Sequence, residues 1–139
     1  MKSLATLQNL ALLLLRIVVG AVFLWAGHAK WFVWSGVPEV MPGMTPAMVN
    51  LTKLLSIVEP LGALALLLGF LTRWAAAGLA IIMTGSLYFV YFMFHVGIFT
   101  SEKGPGMDYN LLILAGCVVL LAFGPGPFSA DKLLRKDSK

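Results

Sequence analysis

Apolar residues run through this chain in long unbroken stretches rather than at the helical or strand periods of a water-soluble domain. Four such stretches cover residues 7–32, 51–70, 74–94 and 109–123. The first three reach or exceed the roughly 20 residues that a helix needs to cross a bilayer. The fourth is shorter, and partner helices or local bilayer thinning would accommodate it. The pattern predicts one all-α domain over residues 1–139, a bundle of four transmembrane helices. Spans two and three are separated only by Leu71-Thr72-Arg73, so they must pair as an antiparallel hairpin. The other two connections, 35–50 and 97–108, are long and rich in Gly and Pro, the second carrying Gly104-Pro105-Gly106. Functional residues tend to gather in loops of this kind.

Composition agrees. Hydrophobic residues make up 60% of the chain and charged residues 12%, against about 25% charged in a soluble domain. Mean hydropathy is +0.92. The sequence pI near 9.5 does not point to nucleic acid, because the basic residues sit at the ends of the apolar runs instead of on one soluble face. Their placement sets topology. With both termini in the cytoplasm, the inner side holds Lys2, Arg73, Lys132, Arg135, Lys136 and Lys139, and the outer side holds Lys30, Lys53 and Lys103. That bias predicts N-in, C-in orientation in a cell membrane. The first run is too long for a cleaved leader, and Arg16 interrupts it.

After the fourth span, Gly124-Pro125-Gly126-Pro127 stops the helix. Ser129 or Asp131 can then cap a short basic helix over 132–136 on the inner membrane surface, which would otherwise be a solvated tail. Glycines recur seven apart, at Gly20 and Gly27, Gly62 and Gly69, and Gly78 and Gly85. Each pair lies on one helix face and predicts close helix contact.

Two ionisable residues fall inside the spans. Arg16 lies about nine residues, and Glu59 about eleven, from the inner ends of their spans, roughly 14 and 16 Å deep. A lone buried charge is costly in lipid, so the two are expected to pair in the core. Such a pair can fix the register of spans one and two, or serve as a proton relay or ligand site. A second polar group, Lys30, Tyr88, His95, Asp108 and Asn110, falls near the outer ends of the spans, with Trp25, Trp31, Trp34, Tyr91 and Tyr109 at similar height. The aromatics suit an interfacial belt. The polar residues suit either headgroup solvation or a pocket for a ring with polar oxygens, such as a quinone. Tyr88 and His95 share the Gly78–Gly85 side and would face inward together. Haem ligation by His28 and His95 is disfavoured for want of any further signature, and no metal site is expected. Cys117, the single cysteine, excludes an internal disulfide and CxxC redox chemistry and suits packing.

These residues resemble a pattern found in the DoxX family of small four-helix bacterial membrane proteins. The resemblance rests on Arg16, Gly20, Gly27 and Lys30 in span one, and on Glu59-Pro60-Leu61-Gly62 and Leu68-Gly69-Phe70-Leu71-Thr72-Arg73 in spans two and three. In span four it rests on Asp108-Tyr109-Asn110-Leu111-Leu112, and in the tail on Gly124-Pro125-Gly126-Pro127-Phe128-Ser129-Ala130-Asp131. Asp108 stands where the family favours Glu. The resemblance implies a four-helix bundle in the bacterial inner membrane and a link to membrane redox chemistry. Relatives form a subunit of thiosulfate:quinone oxidoreductase or join superoxide dismutase and a sulfurtransferase in oxidative-stress complexes, whereas the distant surfeit-locus cargo receptors are not enzymes. The expected role is therefore an accessory, quinone-interacting subunit. The alternatives are a non-catalytic scaffold or chaperone for a partner protein, and a small transporter acting as a homo-oligomer. No flavin, iron–sulfur or nicotinamide motif is present, so the electron donor would be a partner or a small molecule.

Overall fold

In the computed structural model, residues 2–36, 44–95, 97–101 and 106–136 are described. Residues 37–43 of the first long connection, and 102–105 of the second with its Gly104-Pro105, lie outside them. Four long helices form the bundle: α1 (Lys2–Ala29), α2 (Pro46–Leu68), α3 (Thr72–Phe94) and α4 (Asp108–Phe123). A 3-10 turn, Lys30–Trp34, extends α1, and a short α5 (Ala130–Lys136) follows the tail. α1 packs most extensively on α2 and α3 on α4, while α2–α3 and α1–α4 contacts close the ring. α1 with its 3-10 extension, α2 and α3 are long and apolar enough to cross a membrane. The 16 residues of α4 give it only about 24 Å, short of the roughly 30 Å hydrocarbon thickness. The chain is an integral membrane helical bundle. We call the end bearing the α2–α3 turn and the C-terminal segment the tail end, and the opposite one the loop end.

The helix boundaries follow local chemistry. Thr45 caps α2 by accepting from the Met48 amide, and Pro46 occupies the first turn, where a missing N–H is harmless. Gly69 ends α2 at φ +68°, and Phe70 N–H donates back to Ala65 O at 2.9 Å. The left-handed conformation there favours glycine. Leu71 follows at φ 46°, so the turn is tight and needs support from outside. The tail supplies it. Asp131 accepts from Leu71 N at 2.7 Å and Thr72 N at 3.0 Å, capping α3 across 59 and 60 residues of sequence. Ser129 Oγ caps α5 through the Lys132 amide. Of the two caps expected for the short helix, Ser129 therefore serves it, from Ala130 onward, and Asp131 serves a different helix.

The core joins Val19, Phe23, Ala63, Leu66, Ala76, Leu79, Met83, Ile113, Cys117 and Leu120. Gly20, Phe23, Gly27 and Lys30 share the Arg16 face of α1 at helical spacing, and that stripe faces inward: Arg16, Val19, Gly20, Phe23 and Gly27 are buried and Lys30 is half-buried. Gly27 receives the ring of Pro60, which a Cβ at this position would overlap. At Gly20 a Cβ would come 2.8 Å from Leu67, and at Gly62, 3.0 Å from Leu79. Gly78 and Gly85 differ. Nothing lies within 4 Å of a Cβ at either, and both face away from the bundle. The expected close contact on that side of α3 is absent among the described residues. The buried stripe runs instead through Ala76, Leu79 and Met83. Gly27→Val should therefore destabilise the protein by about 1–3 kcal/mol through overpacking. Gly78→Ala should be neutral or stabilise by up to about 1 kcal/mol through helix propensity. Unfolding of both variants in detergent micelles, followed by tryptophan fluorescence, checks the contrast.

Candidate functional site

Arg16 and Glu59 are both buried, at 1% and 3% exposure, but they do not pair. Arg16 lies at the tail end. Its Nε donates to Leu66 O at 2.9 Å and Nη2 to Leu67 O at 3.0 Å, while Nη1 donates to Pro125 O and Phe128 O at 2.8 and 2.6 Å. These are last-turn carbonyls of α2, of which Leu66 O also accepts from the Gly69 amide at 3.1 Å, and carbonyls of the Gly-Pro-Gly tail. The planar guanidinium fork suits several acceptors at once, and its charge suits a helix C-terminus. The expected common depth fails because α1 continues for roughly 20 Å on the tail side of Arg16, whereas α2 ends beside it. Glu59 stands seven residues before Leu66, roughly 10 Å nearer the loop end. Gly69 completes the arrangement: a Cβ there would come 2.6 Å from Arg16 Nη2 and 2.6 Å from Ser129 Cβ. Arg73 donates to Ala122 O at 3.1 Å and lies over Gly124. Gly124 and Gly126 both take positive φ. The tail motif is thus a clasp that fastens α1 at Arg16 to the tail-side ends of α2, α3 and α4.

Glu59 pairs with Lys30 instead, at 2.6 Å. The carboxylate side chain is 4% exposed and the lysine side chain 28%. The lysine stem lies back along α1, since its ammonium also donates to Ala26 O at 3.1 Å. Pro60 shapes the surroundings. It has no N–H to give Ser56 O, its usual partner one turn earlier, and the indole of Trp31 donates to that carbonyl at 3.3 Å. Trp34 donates to Ser56 Oγ at 3.1 Å. Two tryptophans assigned to an interfacial belt therefore also brace the proline turn of α2.

The ion pair forms one wall of a cavity of about 380 Å³ between the four helices. Phe23, Ile82 and Met83 supply apolar walls, and Ser86, Tyr109 and Asn110 supply hydroxyl and amide groups. Of the five residues expected in an outer pocket, the structure brings Lys30 and Asn110 here. Tyr88 is excluded: it is 66% exposed and stacks on Phe92 at 4.5 Å. His95 is exposed in a left-handed C-cap, φ 49°. The inward pairing of Tyr88 with His95 thus fails with the Gly78–Gly85 face that it assumed. His28 lies exposed between Trp25 and Trp31 and does not line the cavity. Ser86 and Glu59 were not assigned to this pocket from sequence. Ser86 had a usable signal: it follows Ala76, Leu79 and Met83 at helical spacing, and it is polar inside an apolar run.

Asp108 turns toward the loop. Its Oδ2 accepts from Thr100 N at 3.0 Å and its Oδ1 from Thr100 Oγ1 at 2.9 Å, while Thr100 Oγ1 also accepts from Gly106 N at 3.0 Å. The bonds from the Thr100 amide and hydroxyl hold the Asp108 carboxyl below its usual range. A depressed folded pKa contributes order that is complete above the unfolded value, about 3.9, and that is lost as pH falls through the folded one. Hydrogen exchange should show the Thr100 amide protected at pH 5 and above, with the protection lost on acidification below about pH 4. Protection independent of pH over this range would remove Asp108 as the clip.

The family model described as DoxX matches residues 11–95 of the chain. The chain is 31% identical over 131 residues to the inner membrane protein YqjF of Escherichia coli (strain K12), covering 94% of this chain and 96% of that protein. It is 34% identical over 133 residues to the uncharacterized membrane protein Rv3486 of Mycobacterium tuberculosis, covering 88% of this chain and 80% of that protein. No solved structure matches.

Proposed function

This chain belongs to the DoxX family, and on that premise we propose that it is a membrane subunit of quinone-linked oxidoreduction, binding the oxygen-bearing head of a quinone in the cavity beside Lys30 and Glu59. The observation that carries this reading is a buried carboxylate–ammonium pair opening on an otherwise apolar cavity with an amide and two hydroxyl residues opposite. A quinone head needs hydrogen-bond donors at its two oxygens and apolar contact at its ring. Lys30 and Asn110 can donate, and Phe23 and Met83 can pack on the ring. Reduction of a quinone to a quinol takes up two electrons and two protons. Glu59 and Lys30 are the groups able to hold and pass protons at this site. The electrons come from a partner, since the chain carries no electron-carrier motif, and that makes the role an accessory one. The Lys and Arg bias supports placing the tail end in the cytoplasm and this cavity toward the outer leaflet.

The test is titration with decylubiquinone of the purified protein in mild detergent, read by tryptophan quenching; Trp25 lines the cavity. Saturable quenching is expected in the native protein, at least tenfold weaker in Asn110→Leu. Non-saturable quenching equal in both would overturn the reading. Gly78 and Gly85, open on the outside of α3, favour a second reading, a scaffold that docks a partner helix. Loss of partner co-purification in a Gly78→Leu variant with quinone binding intact would support it.

A further inference from the structure

A second cavity, about 660 Å³, opens at the tail end between the α2–α3 turn and the end of α4. Arg73 and Lys132 bring two positive charges to its wall. Among the described residues, the Arg73 guanidinium uses only its bond to Ala122 O, although it has five N–H donors. Asp131 also lines the cavity, but its carboxylate is occupied by the Leu71 and Thr72 amides at the start of α3. Thr72 is fully buried in the wall, and its hydroxyl has no hydrogen-bond partner among the described residues. That hydroxyl has no surface a ligand could reach, so the polar groups the cavity offers are those of Arg73 and Lys132. The remaining wall is apolar and open to the surroundings: Phe70 is 44% exposed, Trp74 78% and Phe123 71%.

We propose that this cavity binds the headgroup of an anionic phospholipid. Arg73 and Lys132 hold the phosphate, and Trp74 and Phe123 flank the glycerol and upper acyl chains. Cationic residues between helix ends suit a lipid phosphate. Exposed tryptophan and phenylalanine beside them fit the headgroup level of a bilayer, whereas a free phosphate has no use for that apolar rim. Occupancy would brace the same turn and tail that Arg16 and Asp131 fasten.

The test uses the full chain in mild detergent with phosphatidylglycerol or phosphatidylcholine of identical acyl chains, read by native mass spectrometry and by the thermal midpoint. Glycerol 3-phosphate is the soluble control. Phosphatidylglycerol should be retained at least tenfold better than phosphatidylcholine and should raise the midpoint. Lys132→Gln, at an exposed position, should weaken that preference several-fold while leaving the lipid-free midpoint unchanged. Adding Arg73→Gln should abolish the preference. Should the double variant fail to fold, the Lys132 variant decides. Equal retention of the two lipids, or a preference undiminished in Lys132→Gln, would overturn the proposal. So would glycerol 3-phosphate alone reproducing the stabilisation, which would assign the cavity to a soluble phosphate compound.

Discussion

Arg16→Met is expected to lower stability by roughly 3–5 kcal/mol, the cost of leaving several buried carbonyls without their donor. The guanidinium reaches four carbonyls, of Leu66, Leu67, Pro125 and Phe128. Leaving a buried acceptor unsatisfied costs about 1–3 kcal/mol, and not all four will stay dry once the side chain is gone, so the sum is less than fourfold. Against a total stability of about 5–15 kcal/mol, this is the largest single-residue effect expected in the molecule. The tail should detach with it, because two of the four carbonyls belong to the clasp. Arg16→Lys should lose about half as much, since one ammonium with three donors cannot span acceptors on both α2 and the tail. Thermal unfolding in detergent, together with protease sensitivity near Pro125, tests both points. A midpoint unchanged in Arg16→Met would mean that the clasp closes without its arginine.

Lys30→Met should cost about 2–3 kcal/mol. That is below the full value for a broken buried pair because the lysine side chain is 28% exposed and solvent already screens part of the attraction. The damage comes from Glu59, left without a cation in a nearly closed site. Lys30→Met combined with Glu59→Leu should recover stability to within about 1 kcal/mol of the native protein, since apolar replacements of a buried pair are often neutral. The double variant separates the two roles left open for an intramembrane charge pair. A stable double variant that no longer binds decylubiquinone assigns the pair to the ligand site. One that is stable and binds as before leaves the pair with the register of α1 and α2 alone. If the double variant is no more stable than Lys30→Met, the cost does not come from the stranded carboxylate.

Legibility differed from feature to feature for physical reasons. The inward stripe of α1 could be read because Arg16 and Lys30 mark it: charged residues in lipid must face protein. The burial of Glu59 followed from the same argument. On α3 beyond Arg73 in its first turn, no charge marks a face, and the walls that meet lipid are as apolar as the core. The paired glycines serve as the guide there, ahead of the polar Ser86, and they mislead. Gly78 and Gly85 face out, while Leu79 and Met83 fill the interior. Tyr88 and His95 went wrong with them. Asp131 could be read as a cap, but not as the cap of α3, because a sequence places it beside its own helix and only the folded chain brings it to Leu71.

By itself, then, the sequence determined what depends on length and composition: an all-helical membrane protein, the tight α2–α3 turn and the need for buried charges to find partners. Only the tertiary structure decided who those partners are. Depth counted along each span assumes that all helices start on one plane, and α1 overshoots the tail end by about four turns. That offset gives Arg16 to the carbonyls of α2 and the tail, and leaves Glu59 to Lys30, whose side chain reaches back to it.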